Sequence, residues 1–392
     1  MPTFDRRLFL KSSGISIIPA ILPVVDSPLF DKSNHVATGD EIKTVKFFGD
    51  GEMFEPADYI KELEMIQQKS PITKDRYGIG GAVELLEQKF CELTGKEKCI
   101  SLPSGTMANQ LAISLLSGEK SKVFLQETSH VYRDEGDAAQ LIFNKRLMPL
   151  RKDEAYFTCA DLENAITKLK DEEAFTAEIG AISIENPVRR SDGKYVPLEE
   201  IKKISKYCRD HDIGLHLDGA RIYMASAWTG VSVKEYASYF DTIYISLYKY
   251  FGAASGGILC GDARIIDKMP HLIKVHGGSI YGNWMNAAMA LSRIEGFEGR
   301  LTESIKNSEV IFNALNKLKG IKISKIEGGT NIQMLELAPE INALHLQENL
   351  LKKFNIKIPK ANDQRMAKIS VNETFLYRPT EYIINAFRES LI

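Results

Sequence analysis

The stretch D-T-I-Y-I-S-L-Y-K-Y-F-G-A-A-S-G-G-I-L-C (241–260) sets a single lysine, Lys249, between two short apolar runs. D-T-I-Y-I-S-L (241–247) and G-G-I-L-C (256–260) have the length and apolar character of buried strands. Lys249 is flanked by Tyr248, Tyr250 and Phe251 and followed by small residues, a setting for an amine held in a tight, partly apolar cavity. Burial lowers the proton affinity of such an amine and frees it as a nucleophile.

Working outward, similar runs recur at K-C-I-S-L (98–102), V-F-L-Q (123–126), I-G-A-I-S-I-E (179–185) and I-G-L-H-L-D (213–218). Helical spacing lies between them. Val83, Leu86, Phe90 and Leu93 mark a helix over 80–95 stopped by Gly95, another runs from Thr106 to Leu116, and 198–210 is amphipathic. Short apolar strands alternating with helices predict an α/β domain around a mostly parallel sheet, over residues 46–300. After residue 300 the order becomes helix 301–319, strands near 321–326 and 331–337, helix 341–354, a strand near 367–371 and a terminal helix. That order predicts a small α+β C-terminal domain over 301–392.

Polar groups at the strand ends carry the chemistry. Ser104, Gly105 and Thr106 follow strand 98–102 and open a helix, whose free N–H groups suit a phosphate or simply an ordinary capped start. Asp218 ends a strand in L-H-L-D-G-A-R, at the carboxyl edge where α/β sheets bind ligands; its plainer reading is an N-cap with Arg221 as ion partner. His130, in E-T-S-H-V-Y-R-D-E-G, follows strand 123–126 and reaches the same rim. A phosphate cradle, a carboxylate and a lysine amine together match what pyridoxal 5'-phosphate requires. The lysine forms a Schiff base, and the carboxylate keeps the pyridine nitrogen protonated.

With these residues placed, the chain resembles the threonine aldolase / β-eliminating lyase family of fold-type-I pyridoxal-phosphate enzymes, from about residue 46 to the C-terminus. The likeness is carried by Y-G-I-G-G-A-V-E-L-L-E, L-P-S-G-T-M-A-N-Q, L-H-L-D-G-A-R-I-Y-M-A and S-L-Y-K-Y-F-G-A-A-S-G-G. It implies the aspartate aminotransferase-like, PLP-dependent transferase fold and retro-aldol cleavage of a β-hydroxy-α-amino acid to glycine and an aldehyde. It implies that Lys249 holds the cofactor, Asp218 pairs with its ring nitrogen, Ser104, Gly105 and Thr106 bind its phosphate, and His130 stacks on the ring. Arg221 would contact the cofactor and the substrate carboxylate. Tyr77 and Gly78 would reach a neighbouring subunit's site in a homodimer or homotetramer.

The chain also departs from that family. Tyr248 and Tyr250 flank the lysine where the family has Ser-Lys-Gly, and two rings are expected to narrow the cavity floor. Tyr281, in H-G-G-S-I-Y-G-N (276–283), stands where a phosphate-binding arginine is expected, and Val188, in E-N-P-V-R-R (185–190), replaces a histidine. Lys368, in M-A-K-I-S-V, is the nearest counterpart of a second carboxylate-gripping arginine. These changes touch the substrate side more than the cofactor side. β-Elimination, racemisation, or a non-catalytic exported protein of the same fold are the alternative expectations.

The totals set the frame. A net charge of −2 gives no reason to expect nucleic acid as a partner, and no stretch of 18 or more apolar residues suggests a membrane span. Residues 1–30, with Arg6 and Arg7 ahead of a modest apolar stretch, resemble a twin-arginine signal, so export is expected, with the mature chain starting near Asp26 to Asn34. The alternative is a cytoplasmic chain with a basic tail. Five scattered cysteines, Cys91, Cys99, Cys159, Cys208 and Cys260, give neither a disulfide framework nor a metal-binding spacing, nor do the seven histidines give a metal spacing, and the cysteines read as buried thiols.

Overall fold

The computed structural model describes residues 43–175 and 177–391; the expected signal segment 1–30 lies outside the described residues. The first strand, β1 (Val45–Lys46), pairs in parallel with residues 356–357 at the far end of the chain. Next come β2 (Lys98–Leu102), β3 (Lys122–Gln126), β4 (Arg146–Leu150), β5 (Ile179–Glu185), β6 (Gly214–Asp218), β7 (Thr242–Ser246) and β8 (Gly257–Gly261). These seven form one sheet in the order β2-β8-β7-β6-β5-β3-β4. β8 runs antiparallel to both its neighbours, and every other pair is parallel.

Burial explains why the sheet was legible as apolar runs. All five residues of β3, β7 and β8 are buried, as expected where helices cover both faces of a sheet. The crossover helices show the opposite pattern. Helix Leu198–Asp210 buries Ile201, Ile204, Ser205 and Cys208 on one stripe and leaves its charged face in water.

The remaining strands are β9 (Ile321–Lys325), β10 (Ile332–Leu337), β11 (Ile356–Lys357) and β12 (Met366–Ser370). β9, β10 and β12 form a three-stranded antiparallel sheet around a central β10 whose inner and outer positions alternate. Its core joins Leu335, Ile369 and Phe387 to Val45 and Phe47 from the other end of the chain. Helix Phe297–Leu315 spans the expected border at residue 300. It sends Phe297 and Leu301 into the large core and Ile311 and Leu315 into the small one. One continuous helix therefore couples the two cores.

Candidate active site

Parallel register aligns the ends of the central strands. Glu185 of β5 lies opposite Asp218 of β6, and Asp218 lies opposite Tyr244 of β7. Three residues past β7 the chain reaches Lys249. Next to this rim β2 runs out into helix Gly105–Ser117, whose N-cap Ser104 accepts a hydrogen bond from Met107 N–H. No hydrogen-bond acceptor lies against the Gly105 and Thr106 N–H groups among the described residues.

These groups line one cavity of about 280 Å³, walled by Ser104, Thr106, His130, Asp218, Arg221 and Lys249. A second cavity of about 720 Å³ shares His130, Arg221, Tyr248 and Lys249 with it. Its far walls are largely apolar, from Met53, Phe54, Pro56 and Ile60.

Hydrogen bonds fix the carboxylates. Asn109 Nδ2 donates to Asp218 Oδ2 at 3.0 Å and to Glu135 Oε1 at 2.7 Å. Carboxylates only accept, so the amide nitrogen faces them, and Asn109 Oδ1 must accept the proton of His216 Nε2 at 3.0 Å. His216 Nδ1, 2.8 Å from Thr242 Oγ1, is then an acceptor and the imidazole is neutral. Burial agrees, pushing its pKa down to about 4. The Ala220 N–H also donates to Asp218 Oδ1 at 3.2 Å. His130 Nδ1 lies 3.0 Å from Glu135 Oε1, which orients the ring and raises its pKa against the cost of burial.

Burial and the nearby Arg221 charge pull the Lys249 amine down to about 8. Its ammonium has an aromatic neighbour in Tyr248, 5.6 Å from the ring centroid. Burial and the Asp218 charge push Glu185 up to about 7. Its oxygens accept from the His130 and Arg189 backbone N–H groups at 2.7 and 2.9 Å, tying two loops to β5. Arg221 is half-buried, and Asp50 at 2.7 Å keeps its guanidinium fully charged.

The structure brings together Lys249, Asp218, His130, Arg221, Ser104, Gly105 and Thr106. It does not bring in Lys368, whose ammonium pairs with Asp192 and which lines neither cavity. The reason is its position on an outward-facing site of β12. Tyr77 packs edge-on against Tyr281, with ring centroids 5.2 Å apart, on an exposed surface away from Lys249. Only Tyr248 of the two flanking rings lines the cavity. Tyr250 turns into an aromatic cluster with Tyr223, Phe251 and Phe297 and is wholly buried there.

Sequence reading missed Asn109, Glu135, Glu185, Asp50 and Arg189. Arg189 lines the larger cavity, and among the described residues nothing pairs with its guanidinium. Asn109, one helical turn after Gly105, could have been found by its polarity on an otherwise apolar face. The others sit on loops or strand ends that only the pairing of distant strands brings together.

The donor set fits pyridoxal phosphate. It combines a half-buried amine of lowered proton affinity, a buried carboxylate held by two donors, and a helix N-terminus with open N–H groups. The cradle is shaped by a glycine, since a Cβ on Gly105 would lie 2.4 Å from Tyr244 Oη. Gly105→Ala should push the helix start off the Tyr244 ring, costing about 1–3 kcal/mol of stability. Thermal unfolding and the fraction of protein retaining cofactor after dialysis should both fall; unchanged retention would argue against the cradle.

The family model described as Beta-eliminating lyase matches residues 61–338 of the chain. The low-specificity L-threonine aldolase of Candida albicans is 35% identical over 277 residues, 70% of this chain and 72% of that one. Low-specificity L-threonine aldolase 1 of Arabidopsis thaliana is 24% identical over 342 residues, 86% of this chain and 94% of its own length. Among solved structures, a candidate L-allo-threonine aldolase from Listeria monocytogenes superposes with a TM-score of 0.71. That match has 23% identity and covers 89% of this chain and 97% of the other. It speaks to the fold, the fold-type-I arrangement described above.

Proposed function

Because the chain belongs to the β-eliminating lyase family, whose members are pyridoxal-phosphate-dependent lyases, we propose that it cleaves β-hydroxy-α-amino acids to glycine and an aldehyde. The observation that carries this reading is the convergence of Lys249, Asp218, His130 and Arg221 on one cavity. Pyridoxal phosphate, when bound, supplies an electron sink for the pair left on the α-carbon when a bond to it breaks.

The residues then take distinct tasks. Lys249 anchors the cofactor through its amine, and Asp218 holds a proton at the pyridine nitrogen. The Gly105 and Thr106 N–H groups take the phosphate, with Ser104 capping the helix they open. Arg221, held through Nε by Asp50, keeps its terminal N–H groups for the substrate carboxylate. His130 gives its Nδ1 side to Glu135, which leaves Nε2 to take the proton of the β-hydroxyl.

The experiment is glycine and aldehyde release from threonine, allo-threonine and β-phenylserine, with Lys249→Ala as control. Glycine from any of them, absent in the control, supports the aldolase reading. A yellow, borohydride-reducible protein that releases none would move the reaction to β-elimination or racemisation.

Arg189 is the second cation we assign to substrate, in the part expected of Lys368. Arg189→Ala should raise KM roughly 10-fold with kcat little changed, the pattern for lost ground-state binding. Lys368→Ala should leave both constants unchanged. The reverse ranking in steady-state kinetics would return the role to Lys368.

Cofactor uptake should report the Lys249 amine. Its folded-state pKa of about 8 is lower than usual, so the neutral nucleophile accumulates as pH rises through that value. Chromophore formation in cofactor-free protein should therefore speed up about 10-fold per pH unit below 8 and level off above it. A flat profile from pH 6 to 9 would contradict this.

We also infer a homo-oligomer, supported by the exposed Tyr77, Ile79 and Tyr281, and checked by sedimentation. Export is supported by Arg6 and Arg7 and is checked by fractionation with both changed to lysine.

A further inference from the structure

Cys91, on helix Gly81–Thr94, and Cys99, on β2, lie either side of a tight turn in which Gly95 takes φ +67°. Their Sγ atoms are 3.2 Å apart, so a bond of about 2.05 Å needs an approach of only ~1 Å. Cys91 is half-buried while Cys99 is buried. Both open onto a surface cavity of about 560 Å³ that does not include Lys249, wide enough to admit a small disulfide reagent. A third thiol, Cys260, is the cross-strand neighbour of Cys99 on β8.

We propose that Cys91 and Cys99 form a redox-active dithiol that closes to a disulfide on exchange with a low-molecular-weight disulfide such as oxidised glutathione. The roles follow from position. In the dithiol the Cys91 S–H donates to Cys99 Sγ; once Cys91 ionises, the Cys99 S–H can turn to donate to it, which lowers the Cys91 pKa and makes the more accessible sulfur the better thiolate. Burial pushes the Cys99 thiol up, so it stays protonated until the second step.

The exchange balances. Cys91 thiolate attacks one sulfur of the reagent, the reagent's S–S bond breaks, and one thiolate leaves and is protonated. Cys99 then attacks the Cys91 sulfur of the mixed disulfide, its proton passing to the second departing thiol. Two protein thiols are oxidised to one disulfide, and one reagent disulfide is reduced to two thiols.

Such a bond would clamp the end of helix Gly81–Thr94 to the strand that leads into Ser104–Thr106, so the oxidised form should melt at a higher temperature. It also suits a chain expected to be exported, since disulfides persist in oxidising compartments.

The test equilibrates purified, cofactor-loaded protein with oxidised glutathione, quenches it in acid, and counts thiols in denaturant. The unoxidised chain has five, and the expected count is three, with the protein two hydrogens lighter and one linked peptide joining Cys91 to Cys99. Cys91→Ser should keep its remaining four thiols, whereas Cys260→Ser should still lose two. Five thiols after equilibration would overturn the proposal. So would a linked Cys99–Cys260 peptide, or a product that stops as a glutathione adduct on Cys91. Peptide mapping of the unaltered chain keeps the test valid if a variant fails to fold.

Discussion

Lys249→Ala is expected to abolish glycine release, by ~10³-fold or more in kcat/KM, and the protein should lose its borohydride-reducible colour at the same time. Both losses have one cause. Lys249 is the amine that the fold half-buries beside Asp218 and Arg221, and among the described residues nothing takes a hydrogen bond from it. The same substitution should not harm the fold. A half-buried ammonium with a pKa drawn down from 10.5 to about 8 is destabilising at neutral pH, because the folded state binds that proton less well than the unfolded chain does. The sign is clear. This cost is largest at low pH and fades as pH rises towards the unfolded value, so alanine should gain on the order of 1–3 kcal/mol near pH 7. Activity assays paired with thermal unfolding check both halves. A variant that keeps turnover, or one that is inactive only because it unfolds, would remove Lys249 from the role assigned to it.

Asp218→Ala is expected to lower kcat about 10²–10³-fold while KM changes little. In the proposed role the carboxylate would act on charge that develops during bond breaking, so its loss should fall on the chemical step rather than on substrate binding. Its surroundings sharpen the effect. Asn109 and the Ala220 N–H hold it in one orientation, and its side chain is buried. The neighbouring Glu185 feels the Asp218 charge across the β5–β6 pair, so in the variant its pKa should drop below about 7, with burial alone still keeping it above the ordinary value. Steady-state kinetics with threonine, and the absorbance of the bound chromophore against pH, are the measurements. Full turnover in Asp218→Ala would sink the role, whatever the spectrum showed.

Glu185 adds a consequence for stability. Its raised pKa means the folded protein holds a proton that the unfolded chain releases near pH 4.5. Stability from this group is therefore present at low pH and is lost as pH rises from 4.5 to about 7. The carboxylate is nonetheless retained at the rim, where its two oxygens fasten the His130 and Arg189 backbones.

Much of this protein could be read without coordinates. Strands covered on both faces must be apolar throughout, so β3, β5, β6, β7 and β8 stood out as short runs, and one-sided helices announced themselves by period. Consecutive strands of a parallel sheet end on one rim, so Asp218 and Lys249 could be brought together from order alone. Other features had no local signal. Nothing within a few residues of Tyr250 says that its ring joins Phe297 while that of Tyr248 faces the cavity. The two-residue β1 is too short to register, and its partner lies more than 300 residues away. Arg189 rather than Lys368 meets the cavity because the loop after β5 is pinned to Glu185, while Lys368 points outward from β12 to Asp192. The sequence by itself determined element type and the polar groups that end the central strands, because periodicity and burial act within a few residues. Which side chains turn inward, and which cation lines the cavity, was decided by contacts between segments far apart in the chain, and only the tertiary structure holds those.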